Sequence, residues 1–150
     1  MRNFRERMNA ERGFTLLELM AILLILGILA AIALPNFIGQ KEKGEDVTAK
    51  TDARNVLVAV ESCHTETQSY DKCDTLAELT AADSNPNVAL TDEVEKRAGA
   101  VSITATEKTY SIVGYSRGGN SFVIQKTEAG QMARPCTTGG TGGCKPGDLW

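Results

Sequence analysis

The chain has 150 residues, 42% of them hydrophobic and 5% aromatic, and 16 Lys and Arg against 19 Asp and Glu give a formal net charge of −3. That length is enough for one domain. An acidic balance argues against broad binding of nucleic-acid phosphates, which needs a basic footprint, although a local basic patch remains open.

The first 13 residues are polar and net positive. Arg2, Arg5, Arg7 and Arg12 face Glu6 and Glu11, a balance of +2, so the rest of the chain carries −5. By the positive-inside tendency this end stays cytoplasmic and the downstream chain is exported. The four cysteines lie beyond the apolar run that follows. In an exported chain they read as disulfides rather than free thiols.

Phe14 to Leu34 is a run of 21 residues with one charge, Glu18. About 20 apolar residues suffice to cross a bilayer as a helix. A carboxylate at the membrane centre costs roughly 2.5–3.5 kcal/mol, so it needs a function and a partner. Three readings compete. In a secretory signal peptide, Ala31-Ile32-Ala33 would serve as the cleavage site, but the run exceeds the usual ~7–15-residue core and contains an acid. A plain single-span anchor leaves Glu18 unexplained.

The third reading rests on Arg12-Gly13-Phe14-Thr15-Leu16-Leu17-Glu18-Leu19. This stretch resembles the class III signal of type IV pilins and pseudopilins. The close likeness covers about residues 12–40 and is architectural beyond. It implies a cut after Gly13 by a prepilin peptidase, followed by N-methylation of Phe14 by the same class of enzyme. Glu18 becomes the fifth mature residue and Pro35 the twenty-second, both at family positions. The resemblance assigns Glu18 to the Phe14 amine of a neighbouring subunit. Pairing two opposite charges offsets the cost of burying either alone, and it fixes register between packed helices. Cutting ahead of the run leaves it on the product, and Gly13 admits a protease close to the backbone. A simpler role for Glu18 stands beside this one. Thr15-x-x-Glu18 has capping-box spacing, and an acid suits the first turn of a helix.

Pro35 lacks an N–H and should kink or locally melt the helix, and Gly39 and Gly44 lower helix propensity nearby. The resemblance implies unwinding near Pro35 in a filament; an ordinary break at membrane exit accounts for it equally well. From Gln40 the residues are mixed and charged, with Lys41, Glu42, Lys43, Glu45, Asp46 and Lys50 read as a solvated face. Ala49, Ala53, Val56, Leu57, Val60 and Cys63 recur at three- and four-residue spacing, one apolar stripe on a helix. A nearly continuous helix from Phe14 to Thr65 is predicted, about 75 Å at ~1.5 Å per residue. Its apolar half should protrude and its amphipathic half should pack.

Asp74–Ala82 predicts a short helix capped by Asp74. Residues 83–87 form a turn cluster, and Val88 and Leu90 a brief strand. Val101–Ala105, Thr109–Tyr115 and Ser121–Gln125 predict strands joined by turns at Glu107-Lys108 and Arg117–Asn120. The expected fold is α+β, a long N-terminal helix on a three- to four-stranded antiparallel sheet with disulfide-closed loops. Type IV pilins share that architecture. The expected organisation is a leader over 1–13, an apolar transmembrane and filament-core helix over 14–39, and an amphipathic helix with a globular head over 40–150.

After Gly130 the chain is glycine-rich and loses periodicity. Four cysteines allow three connectivities. Pairing Cys63 with Cys73 and Cys136 with Cys144 closes two short loops, each worth roughly 2–3 kcal/mol in the chain-entropy model; the alternative ties Cys63 or Cys73 to the tail. The 136–144 segment resembles the C-terminal disulfide loop of pilins and is the expected exposed, variable surface.

Enzyme signals are weak. His64 with the cysteines lacks the C-x2-4-C spacing of structural zinc sites and reads as a solvated loop residue. Gly139–Gly143 has no strand before it, no helix after it and no GK[ST]. Asp92, Glu93 and Glu95 lack EF-hand spacing and read as an acidic turn. No metal, cofactor or catalysis is expected. The expected partners are further copies of the chain, the prepilin peptidase and N-methyltransferase, an inner-membrane assembly platform, and lipid before assembly; nucleic acid is open. The precursor is placed in the cytoplasmic membrane with its N-terminus in and its head out, and the product in an extracellular pilus. The alternatives are a pseudopilin of a type II secretion or DNA-uptake machine, and a minor tip pilin that binds DNA or a surface.

Overall fold

The computed structural model describes residues 14–91, 95–137 and 143–150. Helix α1 runs Leu16–Thr67, a 3-10 turn follows at Tyr70–Lys72, and helix α2 runs Leu76–Ala81. Strands β1 Val101–Ala105, β2 Tyr110–Tyr115, β3 Ser121–Lys126 and β4 Met132–Ala133 form one sheet in the order β1-β2-β3-β4. Each neighbouring pair is antiparallel. The expected α+β architecture is what the structure contains. Its contacts divide the chain into two compact units, one ending at Ile38 and the other running Gly39–Trp150.

In the first unit the helix is apolar on all sides. Leu17 is 78% exposed and Leu29 58%. The helix is long and apolar enough to cross a bilayer. α1 continues through Pro35, so the helix does not melt there in the single chain.

The second unit obeys the opposite rule. Ala49, Ala53, Val56, Val60 and Cys63 are all buried, as the three- and four-residue spacing requires. Asp46 is a correction. It was read as part of a wet face, yet it is fully buried. It stands three residues before Ala49 and so extends the same stripe by one turn. Facing it, β2 and β3 bury alternate residues, Tyr110 and Ile112 on one and Phe122 and Ile124 on the other. In the register Ile112 lies opposite both Ile103 and Ile124. Gly114 pairs with Val101 and Phe122 at the point where the strand passes α1. A Cβ there would come within 2.4 Å of the Ala49 carbonyl oxygen.

Several local expectations shift. The cap of α2 is Thr75, not Asp74. Thr75 and Glu78 form a full capping box, in which the Glu78 amide donates to Thr75 Oγ1 at 3.3 Å and the Thr75 amide donates to Glu78 Oε2 at 3.1 Å. The T-x-x-E spacing outcompetes the aspartate one residue earlier. Leu90 makes only an isolated parallel bridge to Val101. β4 was not foreseen; two residues are too short for alternation to register. His64 lies in the last turn of α1 rather than in a loop, and its ring stacks on Tyr70 with centroids 3.9 Å apart.

Cys63–Cys73 and Cys136–Cys144 are disulfides. The first ties the end of α1 to the segment after the 3-10 turn. The second closes the tail loop, part of which, residues 138–142, lies outside the described residues. Phe122, Ala49 and both tail cysteines form a small second core with Trp150 packed against it.

Gly114→Ala forces α1 and β2 apart, and overpacking of this kind costs about 1–3 kcal/mol. Urea unfolding in detergent should show a lowered midpoint, while Gly27→Ala, which meets nothing within 4 Å, should not.

Candidate functional site

The candidate segment begins at Phe14, which precedes the first turn of α1 and is 73% exposed. Gly13, the expected cleavage position, lies outside the described residues. Thr15 caps the helix start, for the Glu18 amide donates to Thr15 Oγ1 at 3.2 Å and the Leu19 amide to the Thr15 carbonyl at 3.1 Å. The capping role weighed for this pair is therefore present on the threonine side. Glu18 itself is exposed in the first turn. Nearby Leu16, Leu17, Leu19 and Met20 are between 53% and 78% exposed. One carboxylate thus sits on an apolar rod, a poor arrangement for water and a costly one for lipid unless a cation meets it. The side chain of Pro35 is not described.

The head supplies positions the sequence reading missed. Glu61 is the centre of a polar cluster at the junction of α1 and the sheet. Tyr70 donates to Glu61 Oε2 at 2.9 Å and Tyr110 to Oε1 at 2.8 Å. Lys126 reaches Oε1 at 3.2 Å and also donates to the Tyr70 hydroxyl at 2.5 Å. Burial alone would push the Glu61 carboxyl up, but the bonds from Tyr110, Tyr70 and Lys126 outweigh it and hold the carboxyl below its usual range. Burial, reinforced by Glu61, pushes the Tyr110 hydroxyl well above its usual range. The Tyr70 bond, with Glu61 behind it, raises Lys126. The alternation of β2 carried the signal, since an inward Tyr110 must find a partner for its hydroxyl.

Asp46 holds the tail loop. Its Oδ2 accepts from Asn120 Nδ2 at 2.9 Å and from the Gly143 amide at 2.8 Å. Lys50, one turn on, donates to the Gly143 carbonyl. Helix, hairpin and disulfide loop therefore meet at one buried carboxylate. Of the acids weighed for calcium, Asp92 and Glu93 lie outside the described residues, and Glu95 is exposed. Among the described residues no group of three or more His, Cys, Asp or Glu could hold a metal.

Residues 8–34 match the family model for the prokaryotic N-terminal methylation motif. The chain is 46% identical over 60 residues to the type IV major pilin protein PilA of Myxococcus xanthus, which covers 40% of this chain and 27% of that protein. Over its first segment the chain is similar to type IV pilins and pseudopilins. It is also 46% identical over 57 residues to the type II secretion system core protein G of Vibrio cholerae, covering 38% of this chain and 36% of that protein. For core protein G of Dickeya chrysanthemi the figures are 48% over 52 residues, 35% and 31%. The chain thus spans about a third or less of the length of each of these relatives. No solved structure matches it. Pilins and pseudopilins are structural subunits rather than enzymes. The methylation motif and the apolar helix fit membrane anchoring ahead of assembly into a filament.

The Glu61 cluster gives the head a pH signature. Because the carboxyl is held low when folded, its stabilisation is complete above the unfolded value, about 4.3. It is lost as pH falls through the lower folded value. The urea midpoint should drop between about pH 5 and pH 3, and Glu61→Gln should be weaker at neutral pH and flatter across that range.

Proposed function

We propose that this chain is the structural subunit of a type IV pilus. The precursor sits in the cytoplasmic membrane, N-terminus in and head out. It is cut after Gly13, methylated on Phe14, and passed by an assembly platform in that membrane into a filament of its own copies. The observation that carries this is the uncovered apolar helix with a lone acid in its first turn. Leu16, Leu17, Leu23 and Leu24 are each more than half exposed, and no partner covers them within the chain. Lipid covers such a surface before assembly, and neighbouring copies of the same helix cover it afterwards. Cleavage frees a cationic amine at Phe14, four residues from Glu18. Between neighbouring copies the amine and the carboxylate neutralise each other in a low-dielectric core, where either alone is costly. Methylation keeps the amine charged. The pair also selects one axial register among the many that apolar contact alone allows.

A pseudopilin of a type II secretion machine is the second reading. The likeness to core protein G over a similar share of the chain favours it. The pilus reading draws its further support from the Cys136–Cys144 loop, which is similar to the tail loop of pilins. The two readings differ in abundance. A pilus subunit dominates filaments sheared from cells; a secretion subunit is scarce there.

Intact mass of the sheared protein should correspond to residues 14–150 with one added methyl and four thiol hydrogens missing. An N-terminus at Leu34 would mark an ordinary signal peptide instead. Glu18→Ala should abolish sheared filaments while the cleaved chain accumulates in the membrane. If filaments persist, Glu18 is only part of a helix cap.

A further inference from the structure

Within the head, cations gather around one indole. The Arg54 guanidinium lies 5.2 Å from the centre of the Trp150 ring and that of Arg134 5.6 Å from it. Lys50 stands 4.7 Å from the centre of the Phe122 ring and 5.6 Å from that of Trp150. Trp150 is itself fixed, since its Nε1 donates to the Val123 carbonyl at 3.1 Å. Lys145 belongs to the same group. Burial pushes the Lys50 amine down, the nearby Asp46 opposes that, and the positive charges of Arg54 and Lys145 add to it. Arg54 and Lys145 are exposed and Arg134 half-buried. On the tail around them the surface acid is Asp148. Arg54 and Arg134 are held against the indole, and Lys145 is exposed beside them, so the face carries positive charge toward an anionic partner.

The complementary surface lies at the other end of the same head. Asp71 and Asp74 flank Cys73, which is bonded to Cys63 near the end of α1. Glu78 and Glu66 are close in sequence, with Lys72 as the counter-charge. Burial raises the Asp74 carboxyl, and Glu78 and Asp71 raise it further. Asp74 lines a shallow cleft with Leu90 and Ile103, on the β1 side of the sheet. The cationic face follows β4, at the opposite edge. Lys50 and Cys63 are thirteen residues apart on α1, about 20 Å, and three strand spacings add about 14 Å across. The two faces therefore cannot neutralise each other within one chain.

We propose that the cationic face around Trp150 docks on the acidic Asp71–Asp74 end of a second copy of this chain. This rests on the filament reading and says which faces of the heads meet. Contact between two different faces is heterologous, and repeated along an axis it generates an open helix rather than a closed dimer. A copy displaced along the α1 axis and toward the neighbouring sheet edge brings the two faces together. The chain's own acidity favours this occupant over a nucleic acid. The acidic end is present on every copy, and in a filament its effective concentration is high.

The test is a charge swap in the full-length chain, read as sheared filament yield against subunit level in the membrane. Arg54→Glu with Lys145→Glu should cut the yield at least tenfold at unchanged subunit level, and so should Asp71→Lys with Asp74→Lys. Combining all four should restore it to within about twofold of wild type. The neutral pair Arg54→Gln with Lys145→Gln should fall between wild type and reversal, which a fold defect would not grade by charge. Unchanged yield in either reversed pair overturns the contact, as does a combined variant that accumulates in the membrane yet makes no filaments. Loss of DNA retention by the Arg54/Lys145 reversal with full filament yield also overturns it and makes the face a nucleic-acid site. Wild-type chain that accumulates but never appears in sheared filaments sinks the filament reading itself.

Discussion

The dominant constraint is an apolar helix surface that the chain does not cover. Leu16 to Leu34 presents large side chains on every face, and among the described residues nothing packs on them. Each Leu or Ile moved from water to an apolar setting is worth about 1.5–3 kcal/mol. With that much area exposed the free monomer is not a stable end state, and the helix must reside in lipid or among its own kind. Apolar contact supplies the drive but no direction, because leucines slide past leucines at little cost. Glu18 is the only group in the run that makes one alignment better than the rest.

The head solves the reverse problem. It has its own core. The α1 stripe and the inward residues of β2 and β3 meet over small side chains, Ala49 and Ala53 on the helix and Gly114 on the strand. Close approach lets Phe122, Ile112 and Ile124 be fully buried in a small unit. The two disulfides restrict the segments that have least to bury, the turn after α1 and the glycine-rich tail. Polar groups that could not be left out are held in two clusters, Glu61 with its tyrosines and lysine and Asp46 with Asn120 and Gly143. A carboxylate that bridges separate elements does what apolar contact cannot. It allows one arrangement of helix, hairpin and loop and penalises near misses.

Much of this was legible because it repeats. The stripe from Ala49 to Cys63 follows helical spacing, and Ser121–Gln125 and Val101–Ala105 alternate. What escaped depended on contacts between residues far apart in sequence. Asp46 was the next step of the stripe, but a charged residue is presumed wet until a partner is known, and its partners lie 74 and 97 residues away. Glu61 gave the same difficulty, with Tyr110 49 and Lys126 65 residues distant. His64 was read as a solvated loop residue; its ring stacks instead on Tyr70, six residues on, a contact no spacing rule announces. For Asp74 the error was local, a single good cap preferred over a two-sided one at the next residue. The segment that matches the N-terminal methylation motif was legible for a different reason. Gly13, Phe14 and Glu18 lie in one short string within it, and a fold of the single chain adds little to it.

The same physics applies to two acids: Asp46 sets register within the head, and in the proposed filament Glu18 sets it between copies. Asp46 is held within the chain at Oδ2, by an amide and a side-chain amide, with Lys50 beside it on the helix, while its buried Oδ1 has no hydrogen-bond partner among the described residues. The tail loop is therefore fixed to α1 at one turn, although its glycines would otherwise let it wander. Glu18 has no such compensation among the described residues, and Thr15 caps its turn. A carboxylate bonded inside the head organises the fold; in the proposed filament, one exposed on an apolar helix organises the assembly. The placement of the two along one sequence separates those tasks. The glycine-rich loop can vary as long as Gly143 still presents its amide to Asp46.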